Sequence, residues 1–159
     1  MIWQQEGLWT PLYKNHTPVV DSGKATLTSL DSTTFAANTF KVGDLIRVTG
    51  YVSSDVTGGA PGAFQIRLLL NSDTACAVNL NPATPQSLRF DTFLHVQGAA
   101  SIITEAAAFT NAEININENV GPFEIATDIT SAVLIGVSAA FDDVLQEATL
   151  HWWHIELCR

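Results

Sequence analysis

Charge is scarce in this sequence, and positive charge scarcest of all. Asp, Glu, Lys and Arg make up 14% of the 159 residues, against about a quarter in ordinary globular chains. The seven cations, Lys14, Lys24, Lys41, Arg47, Arg67, Arg89 and Arg159, stand singly against sixteen Asp and Glu, and the formal net charge is −9. Such a chain repels a phosphate backbone unless its few cations converge. Nothing in their spacing brings them together, so no nucleic-acid partner is expected. Long apolar runs are missing too. No stretch approaches the roughly 18 residues that a membrane-crossing helix needs, and no membrane partner is expected. The opening Met1-Ile2-Trp3-Gln4-Gln5-Glu6 lacks a basic n-region and an apolar h-region, so no signal peptide is expected. Two cysteines, Cys76 and Cys158, are too few for a disulfide framework and lie in no metal-type spacing. They read as reduced thiols of a protein made in a cytoplasm, with one long-range bridge between them as the alternative.

Reactive constellations are equally absent. There is no Gly-x-Ser-x-Gly elbow, no Walker-type phosphate loop and no His-Glu-x-x-His. His151 and His154, three positions apart on a strand, are expected to project to opposite faces. His16 and His95 add no matching spacing, which speaks against a shared metal and against a cupin-type site. Asn115-x-Asn117-x-Asn119-x-Gly121 lacks the leading carboxylate and the closing Glu of a calcium loop, and reads as a polar strand face. Asp142-Asp143 reads as a solvated turn. The expectation is a chain that is not an enzyme and that uses no cofactor or metal.

What the sequence does have is β periodicity. The hydrophobic fraction of 47% supports a sizeable core, and the length suits one domain. Lys41-Val42-Gly43-Asp44 supplies turn chemistry ahead of residues 45–52, in which Ile46, Val48 and Val52 share one face and Arg47, Thr49 and Tyr51 the other. A Gly- and Pro-rich loop leads into residues 64–70, with Phe64, Ile66, Leu68 and Leu70 inward. These two strands read as one long hairpin. Its Arg47 and Arg67 are then on the same sheet face, where they would seek acidic partners across a strand or a subunit boundary.

The rest of the chain follows the same pattern. Residues 88–97 point Leu88, Phe90, Leu94 and Val96 inward, residues 99–104 continue the sheet after a bulge or turn at Gly98, and residues 132–141 read as a strand buried on both faces. Residues 113–117 and 123–127 read as further strands, and residues 105–109 as a single helical turn. Residues 24–30 read as a strand, preceded by a turn at Asp21-Ser22-Gly23 and followed by a polar connection over residues 31–34. Pro82 and Pro85 argue against a central strand in residues 71–86. In the last strand, residues 149–157, Trp152 and Trp153 must point to opposite faces. Trp153 is taken as the outward one, suited to a subunit interface or a sugar. About eight strands without an amphipathic helix predict an all-β fold, an antiparallel two-sheet sandwich of jelly-roll type.

Residues 1–18 form an N-terminal arm or edge segment ahead of a single β-sandwich domain over residues 19–159. The arm carries Trp3, Trp9 and Tyr13, and three large aromatics among Gln, Pro and Gly want a surface to cover. That surface is expected on a neighbouring subunit, with folding back onto the same domain as the alternative. So few surface charges also fit a subunit that is covered by others.

The run Phe35-Ala36-Ala37-Asn38-Thr39-Phe40-Lys41-Val42-Gly43-Asp44-Leu45-Ile46-Arg47-Val48, with its Gly-rich loop and Phe64-Gln65-Ile66-Arg67-Leu68, resembles the jelly-roll virion proteins of tailed bacteriophages. Capsid decoration (cement) proteins and tail-fibre or tailspike modules belong to that group. The resemblance implies a non-enzymatic homotrimer on the capsid surface whose partners are its own copies and the major capsid protein. A tail-fibre component, with a glycan as partner, or a carbohydrate-binding sandwich module is the alternative.

Overall fold

β-branched and aromatic residues alternating with polar ones lay an apolar stripe along one side of an extended chain, and such strands bury that stripe by stacking sheet on sheet. The computed structural model describes residues 9–22, 27–56, 64–80, 86–104, 108–110, 123–141 and 146–159. Twelve strands follow in chain order among them. They are β1 (Trp9–Asn15), β2 (Val19–Ser22), β3 (Leu27–Phe35), β4 (Leu45–Val56), β5 (Phe64–Leu70), β6 (Asp73–Leu80), β7 (Gln86–Gly98), β8 (Ser101–Thr104), β9 (Ala108–Thr110), β10 (Phe123–Ile125), β11 (Val133–Phe141) and β12 (Gln146–Cys158).

Every pairing between them is antiparallel, and two sheets result. The larger, of eight strands, runs β1-β12-β4-β7-β8-β10, with β2 beside β12 and β9 beside β7; the smaller, of four, runs β3-β11-β5-β6. The pairings are nested: β2 with β12, β3 with β11, β4 with β7 and β5 with β6. First pairs with last and second with next to last, which is the doubled-over chain path of a jelly roll. The sandwich and its jelly-roll type are therefore as the sequence predicts, with β1, β8, β9 and β10 added around the nested eight.

The core lies between the sheets. Ile46, Val48 and Val52 of β4, Leu88, Phe90, Leu94 and Val96 of β7, and Ile66, Leu68 and Leu70 of β5 are all buried. Each large aliphatic or aromatic side chain so placed contributes about 1.5–3 kcal/mol of transfer free energy. Asn71, at φ +55°, turns the chain between β5 and β6, and its side-chain oxygen accepts the Leu134 backbone N–H at 2.9 Å.

Several expectations need correction. β4 and β5 are not a hairpin: β4 pairs with β12 and β7, whereas β5 pairs with β11 and β6 in the other sheet. Two strands with one apolar face each can pair edge to edge or meet face to face, and here they meet face to face. Arg47 and Arg67 thus stand on different sheets. Residues 31–34 belong to β3, and Asp21 and Ser22 to β2; residues 73–80 form β6, which is an edge strand ending before Pro82, in keeping with the reading that the prolines bar a central strand. Residues 108–110 are strand rather than helical turn. The strand and polar face expected over residues 113–121, and the Asp142-Asp143 turn, lie outside the described residues.

The last strand holds the most consequential correction. Trp153 does not face outward; it is fully buried, together with Leu150, Ile155 and Leu157. A bulge at His151 breaks the pairing with β4 between Leu150 and Trp152. One extra residue shifts the alternation by one place, so Leu150 and Trp153 both point inward. His151 and His154 are in consequence both partly exposed rather than divided between core and surface.

Candidate functional site

The bulge and the pairing registers together gather rings on the outer face of the larger sheet. Trp152 of β12, Tyr51 of β4 and Arg89 of β7 stand side by side across three strands, and Glu156, Arg47 and Phe93 form a second such row. Between them lie His154, Thr49 and Asp91. All of these point away from the core because they alternate with the buried series of their strands.

Contacts tie the rows into one surface. The Arg89 guanidinium lies over the Trp152 ring at 6.0 Å, and the Trp152 and His154 rings are 5.2 Å apart. The bulged His151 turns its ring against Tyr51, centre to centre 5.0 Å, and its Nε2 is 2.7 Å from Ser53 Oγ. Arg47 makes a two-pronged bond to Asp91, Nε to Oδ1 at 2.9 Å and Nη2 to Oδ2 at 2.5 Å, with Glu156 at 3.9 Å from Nη1. Those hydrogen bonds to Asp91 outweigh partial burial and hold the guanidinium above its ordinary range, so Arg47 stays cationic. Its charge also lies over Phe93 at 5.8 Å. Trp9, on the edge strand β1, closes that end with its ring 6.0 Å from Phe93.

At the β1 edge His154 meets His16, with Nε2 atoms 3.0 Å apart. Burial, then the charges of His16 and Lys14, hold His154 below the usual imidazole range, against a smaller opposing pull from Glu156.

The residues singled out from sequence are distributed as follows. Arg47 and Trp9 are on this face, and Arg47 finds its acidic partner across a strand, on β7. Arg67 is on the other sheet, where its Nε donates to Gln65. Tyr13 turns inward: its ring packs on Trp153 at 5.0 Å and its hydroxyl donates to Asp31 Oδ2 at 2.9 Å. Trp3 lies outside the described residues. Tyr51, Arg89, Phe93, Asp91, Trp152 and the paired histidines were missed. For Trp152 a signal existed: Trp153 shares parity with Ile155 and Leu157, which places it inward and its neighbour outward.

Asp31 organises the sheet-to-sheet seam beneath β1. Its Oδ2 accepts Asn15 Nδ2 at 2.6 Å, Trp153 Nε1 at 2.7 Å and the Tyr13 hydroxyl, and its Oδ1 accepts the Ser32 backbone N–H at 2.8 Å. One carboxylate on β3 thus holds β1 and β12 of the opposite sheet.

The two rows span three neighbouring strands of the sheet. Between the sheets, Ile66, Leu68, Cys76, Phe90 and Val137 border an apolar void with room for about one water, which is no place for a substrate. Among the described residues no group of three or more His, Cys, Asp or Glu is placed to hold a metal, and no helix is long and apolar enough to cross a membrane. Stacked rings with fixed charges between them offer dispersion and ionic contacts to a flat surface or a planar apolar group.

No known family and no curated protein matches the sequence. Solved structures do resemble it. Lectin I-B4 from Griffonia simplicifolia is 12% identical over 99% of this chain and 96% of its own, with a TM-score of 0.43. The CBM2 module of the evolved Dit of Lactobacillus casei BL23 phage J-1 is 12% identical over 79% of this chain and 67% of its own, with a TM-score of 0.35. The infectious bursal disease virus VP2 subviral particle is 10% identical over 93% of this chain, with a TM-score of 0.38, and this chain covers 32% of it.

Proposed function

We propose that this chain is a non-enzymatic virion structural protein, and within that class a homotrimeric capsid decoration protein that braces the head. The observation that carries the reading is the outer face of the larger sheet. Trp152, Tyr51 and Arg89 beside Glu156, Arg47 and Phe93 make a surface that spans three neighbouring strands, suited to lying against another protein. The phage resemblance carried by residues 35–48 and 64–68 supports it, as does a sequence with few charges. Seated where capsid subunits meet, each copy would bury about 1,000 Å² or more across its neighbours and add association free energy against internal pressure. The test is the molar ratio of this chain to the major capsid protein in purified particles. Hundreds of copies per particle is the expected result, and a handful rejects the decoration role.

A second reading has its own observation. The Trp152 ring, flanked by Tyr51, His151 and Arg89, is a stacking platform of the kind a sugar ring uses. A tail-fibre or carbohydrate-binding role predicts saturable binding of the isolated protein to host-surface glycans, lost in Trp152→Ala.

A further inference from the structure

One pair of side chains is arranged for chemistry that packing does not require. His16 follows β1, His154 stands on β12, and their Nε2 atoms are 3.0 Å apart with ring centres separated by 4.7 Å. A good imidazole–imidazole hydrogen bond lines up the N–H and the accepting lone pair, which at this spacing would hold the ring centres roughly 5.3 Å apart. The observed separation is shorter because the rings fold toward each other. Whichever ring carries the proton, donor and lone pair are not collinear.

A symmetric disposition in which the two nitrogen axes converge on a common point satisfies both distances. With the rings disposed symmetrically, the two measured distances put that point about 2.0 Å from each Nε2, the length of a zinc–imidazole bond. The same construction gives an angle of about 95° between the two bonds, within the range of four- to six-coordinate ions.

We propose that His16 and His154 form a two-histidine site for one divalent ion of the zinc, nickel and copper class, with its remaining positions filled by water. Imidazole suits these ions, which bind nitrogen ligands most tightly in the first-row series. Glu156, two places along the same strand face, and the net charge of −9 favour a cation there; Lys14, the register partner of His154, opposes it. The site ties the end of the edge strand β1 to β12, so an ion held there stabilises the folded chain by mass action. It does not depend on what the sheet face binds.

The test is calorimetric titration of the full, chelator-treated chain with Zn²⁺, paired with melting temperatures at rising Zn²⁺. One ion per chain and a concentration-dependent rise in melting temperature are expected. His16→Ala, at an exposed position that should fold normally, and His154→Ala each lose both effects, whereas His151→Ala and Cys158→Ser keep them. Zinc uptake that survives both histidine substitutions, that vanishes in Cys158→Ser, or that never saturates overturns the site.

Discussion

The ring of Phe90 lies across the backbone of Gly50, its register partner on the neighbouring strand. A Cβ on Gly50 would stand 2.3 Å from Phe90 Cζ and 3.0 Å from the Cβ of Trp153. Glycine in mid-strand is ordinarily a weakness, and here it opens the slot in which a core aromatic sits. Gly50→Ala is expected to destabilise by about 1–3 kcal/mol through overpacking, despite the backbone entropy it removes from the unfolded chain. Urea unfolding decides: an unchanged or raised midpoint would mean that the ring moves aside freely.

Asp31 should give the fold an acid limit. Burial alone would raise its carboxyl, but hydrogen bonds from Asn15, Trp153, Tyr13 and the Ser32 backbone reverse that and hold it below its ordinary value of 3.8. A carboxyl depressed in the folded state adds stability that is fully present above the unfolded value and is lost as pH falls through the lower, folded one. Denaturation curves between about pH 5 and pH 2 should therefore show the wild type losing its advantage over Asp31→Asn. Parallel curves across that range would remove Asp31 from the account.

The two thiols should differ sharply in reactivity. Cys76 is buried between the sheets and its pKa is pushed up to about 12, mainly by that burial, while Cys158 is half-buried on the last strand. Thiolate is the reacting form. Alkylation of the native protein near pH 8, read by mass spectrometry of peptides, should label Cys158 first and Cys76 only in denaturant. Equal labelling would contradict the packing around Cys76.

Ser138, on the central strand β11, buries a hydroxyl that has no hydrogen-bond partner. An unsatisfied buried hydroxyl costs about 1–3 kcal/mol, and its removal leaves only a small gap. Ser138→Ala should leave stability unchanged or raise it by up to about 1 kcal/mol. A clear loss in chemical denaturation would reveal a partner that the hydroxyl acquires in solution.

How much of this was legible in the sequence follows from what each strand buries. β4, β5, β7 and β11 alternate or run apolar because both their edges are paired and at least one face is in the core, so period two finds them. β3 and β6 sit at the edges of the smaller sheet. There Asp31-Ser32-Thr33-Thr34 and Asp73-Thr74 are tolerated, and a polar stretch conceals a strand. Pairing was less legible still: periodicity says which residues face the core, not which strand lies alongside, and so β4 and β5 were joined wrongly. The site was hidden by one residue. Without the bulge at His151, Leu150 and Trp153 could not both be inside, and the ring row of Trp152, Tyr51 and Arg89 cannot be assembled from spacing alone.

The nesting of the strands also bears on how the chain reaches this state. β12, the last of the described strands to be synthesised, lies between β1 and β2 on one side and β4 on the other. A nascent chain still lacking Gln146–Cys158 has β4 with an open edge and has no Trp153 to cover Gly50 or to reach Asp31. Its most local pairings are the β5–β6 and β7–β8 hairpins, and outward from β5–β6 the nested partners lie ever farther apart in sequence, which makes them the costlier ones to close. Loss of those closing residues from the chain would therefore leave an unsealed, self-adhesive sheet rather than a slightly weaker sandwich.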